Sequence, residues 1–237
     1  TAGYHLISLS ENWGPLYMEL WTARTESLAY LEAHCADRLA VLSGAFELID
    51  LSIDAYESLA GNDVYARICG LTLLKAKHLA VGAYSLILDG LAQEAGALMR
   101  PFIEYCELLT YFRKFPEIAE RAAENDLPKA GERARAIDGI FKEFREHFNS
   151  HASHSSYSHY SLSHLLEPKT FRFKKVQRAV PTVLEKNVKY FVIQLYLLVR
   201  EGVLSLDRLE VPNFESLAIR TDQFKENMVH VFDLHAA

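Results

Sequence analysis

Cysteine is scarce in this chain, with only Cys35, Cys69 and Cys106 among 237 residues. The number is odd, the spacings are wide, and each lies in an apolar helical pattern. This excludes a disulfide framework or a cysteine-based zinc box and suits reduced thiols in a core, hence a cytoplasmic setting. An excess of positive charge is lacking too. Lys and Arg number 25 against 31 Asp and Glu, a formal net charge of −6 with a pI near 5.9. The overall field therefore cannot coat nucleic acid, and any RNA contact must be confined to one basic patch. Long apolar runs are also missing. The most apolar stretch, YFVIQLYLLV at 190–199, has ten residues, about half of what a bilayer-spanning helix needs. The opening TAGYHLISLSENWG has no basic start followed by an apolar run, so neither a membrane span nor a secretory signal is expected.

What is present is a 50% hydrophobic composition, enough to fill a sizeable core, and helical periodicity along most of the chain. From Glu26 to about Leu59, the residues Leu28, Leu31, Cys35, Leu39, Leu42, Phe46, Ile49, Ile53 and Tyr56 recur at steps of three and four, which predicts one long helix. Gly61 and Asn62 supply a stop and an N-cap. A second helix is predicted from Asp63 to about Leu88 with Val64, Ile68, Leu71, Leu74, His78 and Val81 inward, His78 being a hydrogen-bonded core histidine. After Asp89 and Gly90 the period resumes to Phe115, with a kink or a fresh helix expected at Pro101. Short helical pieces follow Pro116 and Pro128, the latter running to Phe148 with Ile137, Ile140, Phe141, Phe144 and Phe148 buried. Residues 170–176 alternate as an extended run would, Pro181 opens a helix to about Leu206, and a last helix spans about Phe214 to Leu234. Trp13 and Trp21 are expected to anchor the N-terminal segment by packing. No boundary resembles a flexible linker, so the expectation is one all-α domain over 1–237, an antiparallel bundle of about six or seven helices with an N-terminal arm at 1–24 and a polar connection at 149–180.

That connection begins with HFNSHASHSSYSHYSLSH, residues 147–164, which holds five of the ten histidines and seven serines. Three readings are open. Continued as a helix, it would bring His147, His151 and His154 to one face, and three imidazoles so placed can hold a divalent metal. No familiar zinc spacing accompanies them, and no cofactor is expected. It can equally be a solvated Ser/His loop between core helices. Finally, Arg145 and His151 form an R-x-x-x-x-x-H pattern. A histidine can exchange a proton with a ribose hydroxyl or leaving oxygen while a guanidinium stabilises the pentavalent phosphate, so RNA cleavage needs no metal.

A second polar constellation lies upstream, where Arg100, Glu104 and Glu107 are spaced four and three apart on one helical ridge. An ordinary surface pair is the default. If buried, it requires further hydrogen bonds, which the 147–164 segment can supply.

The run LAVGAYSLILDGLAQEAGALMRPFIE, residues 79–104, with its E-A-x-x-L-x-R-x-x-x-E core, resembles the central helices of a bacterial group of uncharacterised helical proteins. FREHFNSHASHSSY, residues 144–157, is similar to the aromatic, serine and histidine motif that closes a later helix in that group. The layout is similar to the HEPN superfamily, helical bundles that often dimerise and include metal-independent ribonucleases of toxin, antiphage and RNA-processing systems. The resemblance covers residues 63–205. It implies a homodimer, with RNA as a candidate partner, and a polar pocket formed by Arg100, Glu104, His147, His154 and Tyr157, in a binding protein of a stress or antiphage system. The alternative is a ribonuclease with Arg145 as phosphate clamp and His151 as general acid or base. One departure bears on that alternative: Glu146 stands where active members usually carry Asn, Asp or His, and its longer acidic side chain opposes phosphate binding. The densest basic and aromatic cluster, Phe171, Arg172, Phe173, Lys174, Lys175 and Arg178, is either a solvated connector or the place where phosphates and stacked bases are held.

Overall fold

The apolar stripe from Leu28 to Tyr56 is continuous, yet the chain bends within it. Helices α1 (Pro15–His34) and α2 (Ala36–Leu59) meet at Cys35, whose φ of −138° and ψ of 32° leave the helical region. Hydrogen bonding carries across the bend: the Cys35 N–H donates to the Leu31 carbonyl at 2.8 Å, and the Leu39 N–H to the Cys35 carbonyl at 3.0 Å. Leu31, Cys35 and Leu42 are all buried as a result. The computed structural model describes residues 15–151, 165–167, 170, 172–174 and 177–234, with residues 15–20 and 151 described by backbone alone. Among the described residues the fold is an all-α bundle of nine helices, and its one β contact is an isolated bridge between Leu166 and Phe173.

Helix α3 (Val64–Leu88) lies at the centre, packed against α2 and against the helices at Ala92–Lys114 (α4) and Pro181–Leu204 (α8). Its N-cap is Asp63, not Asn62: the Asp63 carboxylate accepts the Ala66 N–H at 2.8 Å. By length and composition alone α3 is apolar enough to cross a membrane, but here its buried face combines small residues with Tyr65, Leu73, Ile87 and Leu88. Ala66, Cys69, Ala76, Ala80 and Ala83 are fully enclosed, while Leu71 and Val81 are about half exposed. His78 is exposed as well, which corrects its expected core position. The cause is packing distance. A Cβ at Gly70 would stand 2.9 Å from Tyr56 Cβ, and one at Gly82 would stand 3.1 Å from Leu98 Cδ1, so the neighbouring helices come close at these two points.

Helix α4 (Ala92–Lys114) runs through Pro101 without ending, so no fresh helix begins there. Next come α5 (Ile118–Ala123), α6 (Ala130–Ala136) and α7 (Lys142–His151). The single helix expected after Pro128 is divided because Asp138 (φ 61°) and Gly139 (φ 65°) adopt the left-handed conformation, and Ile140 points outward. Helices α8 (Pro181–Leu204) and α9 (Phe214–Val231) complete the bundle. Buried polar ties join α8 to the rest. Tyr56 donates to the Gly202 carbonyl at 2.7 Å, and the buried Glu201 carboxylate accepts from Thr110 and Arg113, each at 2.8 Å. Trp21 does not anchor α1, since it is 65% exposed. Arg24 does so instead, with a two-point contact to Asp89 at 2.5 and 2.8 Å. Trp13 lies outside the described residues.

Candidate functional site

The ridge Arg100, Glu104, Glu107 on α4 is the surface on which α7 docks. Arg100 Nη1 lies 3.1 Å from Glu104 Oε1, and its Nε donates to Asn149 Oδ1 at 2.5 Å. One turn further along, Arg145 Nη1 lies 3.4 Å from Glu107 Oε1. Two stretches distant in sequence thus meet through polar side chains 49 and 38 residues apart, Arg145 and Asn149 standing four apart on α7 as Arg100 and Glu104 do on α4.

Glu107 is the unusual member. Its side chain is only 1% exposed, and its Oε2 is buried without a hydrogen-bond partner among the described residues. Burial pushes its carboxyl above the usual carboxylate range, opposed by the Arg145 guanidinium and, more weakly, by Arg133. Arg133 is itself buried on α6, with Nη1 donating to the Pro128 carbonyl at 2.5 Å.

Two cavities flank α7. The first, about 470 Å³, is bordered by Arg135, Lys142, Arg145 and Asn149 together with Asp138 and Glu146. Lys142 and Glu146 are 3.7 Å apart and exposed. The second, about 510 Å³, lies between α4, α7 and α8, with Gln93, Met99, Phe144, His147, Tyr190 and Gln194 on its walls.

The expected Arg/Glu/His pocket is therefore divided. Arg100 and Glu104 meet Asn149, whereas His147 is exposed and borders the second cavity. Helix α7 extends to His151, so His147 and His151 are one helical turn apart in register. The His151 side chain, His154, Tyr157 and Lys175 lie outside the described residues. Among the described residues no three His, Cys, Asp or Glu side chains gather as a metal site.

Within the basic cluster, Arg172, Lys174 and Arg178 are exposed. A short pairing holds the first two: the Glu167 N–H donates to the Arg172 carbonyl at 3.0 Å, and the Lys174 N–H to the Leu165 carbonyl at 2.8 Å. Of the extended run expected over 170–176, residues 172–174 take part in this pairing, and 171, 175 and 176 lie outside the described residues. Lys174 and Arg178 border a third cavity of about 820 Å³, along with Phe173 and Val183.

Sequence reasoning did not single out Asn149, Gln93, Asn187 or Gln194. Amides carry no charge signature, and only the intermittent polar positions in otherwise apolar helices mark them. No family model matches the chain, and no curated protein or solved structure matches it significantly.

Proposed function

We propose that the chain is a non-catalytic helical binding protein of HEPN-like layout, whose ligand is anionic and engages the cleft beside Arg145. The observation that carries this reading is the pairing of Arg145 with the almost fully buried Glu107 at the edge of a cleft that also presents Arg135 and Lys142. A guanidinium fixed in this way offers its remaining donors in a set direction, as recognition of a phosphate or carboxylate requires. RNA suits this chemistry, and the exposed Arg172, Lys174 and Arg178 can extend the contact along its backbone.

A metal-independent endoribonuclease is the second reading, with Arg145 as clamp and His151 as general acid or base. It is favoured by the presence of both residues on α7, with Arg145 facing an open cleft. Glu107 opposes it, because its carboxylate offsets the charge that would stabilise a pentavalent phosphate. Incubation of labelled RNA with the protein in EDTA separates the two. Binding without cleavage, weakened by Arg135→Ala/Lys142→Ala, supports the binding protein. Cleavage abolished by both Arg145→Ala and His151→Ala supports the nuclease, cleavage that persists in both variants excludes it, and absence of binding excludes RNA as the ligand.

A further inference from the structure

We propose that the cavity between α4, α7 and α8 binds a purine base. Three carboxamides, Gln93, Asn187 and Gln194, converge on it. None of the three makes a hydrogen bond to another described residue, although Gln194 is only 9% exposed. The Gln194 amide is not sealed in, since the described side-chain atoms buried without a partner are Glu107 Oε2 and Arg133 Nε, so a ligand that enters beside it must satisfy its hydrogen bonds. In Gln194 that amide opens onto the cavity.

The remaining walls specify the shape of the ligand. Phe144 and Tyr190 border the cavity without an aromatic partner among the described residues, and Tyr190 is 52% exposed. Phe191, by contrast, is already stacked on Tyr84 at 5.8 Å. Lys186 Nζ lies over the Tyr190 ring at 5.8 Å from its centroid, which leaves that ring one open face; with Phe144 and three amides beside it, the wall matches a flat heteroaromatic ligand with donors and acceptors on its edge. A carboxamide pairs bidentately with the N6 and N7 edge of adenine, and aromatic faces stack on bases. The charged wall residues Glu143 and Lys186 balance, so the cavity itself favours an uncharged ring. At about 510 Å³ it falls within the usual size of small-molecule sites. This site lies on the opposite flank of α7 from Arg145 and does not rest on the anion-binding reading.

Adenosine, which carries no phosphate, is the probe. Thermal-shift titration and saturation-transfer NMR on the full chain should show saturable binding, with uridine markedly weaker. Gln194→Leu should weaken adenosine binding about tenfold or more, the value of one bidentate amide contact. Its melting temperature without ligand should not fall, because the lost amide had no partner. Should Gln194→Leu not fold, Asn187→Ala provides the same readout. No binding at millimolar adenosine, equal binding of uridine, or equal affinity in wild type and the amide variant would each overturn the assignment.

Discussion

Replacement of Arg145 by Ala tests whether α7 is held to the bundle by an ion pair. The substitution leaves the Glu107 carboxylate, 1% exposed, without its one cationic contact at 3.4 Å. Removing one partner of a buried pair typically costs about 3–5 kcal/mol. Here the contact is longer than a strong charge-assisted bond, and Arg145 retains 18% exposure, which lowers the expectation to roughly 2 kcal/mol. For a domain of this size that corresponds to a fall in Tm of about 4–8 °C. The pH dependence has a definite sign. Burial holds the folded-state Glu107 carboxyl above its ordinary value, so stability from this group is greatest at low pH and declines as pH rises through the folded value. Without Arg145 the carboxyl shifts further upward. At low pH it is protonated in both proteins and the pair is absent from both, so the deficit must shrink on acidification. Urea denaturation at pH 5 and pH 8 measures this, and hydrogen exchange should show faster loss of protection in 142–151 than in α3 or α8. The double variant Arg145→Ala/Glu107→Gln should recover most of the loss at pH 8. A deficit below about 0.5 kcal/mol, the scale of an ordinary surface change, or one that grows toward pH 5, refutes the reasoning.

Three further outcomes follow from local geometry. Asp63→Ala removes the side-chain acceptor at the start of α3 and should cost about 1 kcal/mol in chemical denaturation. Gly90→Ala places a Cβ 3.3 Å from the Arg178 carbonyl oxygen at a φ of +75° and should destabilise by about 1 kcal/mol or more, with no change expected from the neighbouring surface change Gln177→Ala. Glu185 is held below its ordinary carboxylate value by hydrogen bonds from Tyr30 and then Arg38. Its stabilisation is therefore fully present above about pH 4.5 and is lost as pH falls through the depressed value. The stability gap between wild type and Glu185→Gln should close over that acid range, and a gap that widens there contradicts the assignment.

The helices themselves were largely legible because their burial follows size and spacing. Leu31, Ile49 and Tyr56 on α1 and α2, and Val188, Phe191, Val192, Leu195 and Leu198 on α8, lie where periodicity places them. Helix α3 was misread for a definite reason. Its pattern of large apolar residues selects Leu71 and Val81, whereas the buried face carries Leu73 among Ala66, Ala76, Ala80 and Ala83. Periodicity weighted by hydrophobic size gives little weight to a face on which most of the buried residues are alanine. The breaks at Cys35 and at Asp138–Gly139 were likewise invisible to spacing. The first preserves the backbone hydrogen bonds across it, and the second depends on a left-handed Asp before Gly that does not interrupt the apolar count.

The site was legible to the extent that charge recorded it. Arg100, Glu104 and Glu107 share one ridge, and Arg145 occupies the facing helix, because an arginine or glutamate turned toward a protein interior needs an opposite charge. Neutral groups carry no such demand. Asn149 completes the contact with Arg100, and Gln194 is buried in α8, yet nothing in their spacing distinguishes them from solvated amides. Helix α7 shows why this matters. Of its residues 142–150 only Phe148 is fully buried, while Arg145 and Asn149 provide its polar contacts with α4. A helix with so little apolar area removed from water gains little from the hydrophobic effect, so its placement rests on directional polar contacts. The same weak apolar grip leaves a cleft along either flank, with ionic walls on one side and aromatic and amide walls on the other. A larger apolar side chain at Asn149 would seat α7 more firmly but would fill the ionic cleft that an anionic ligand requires.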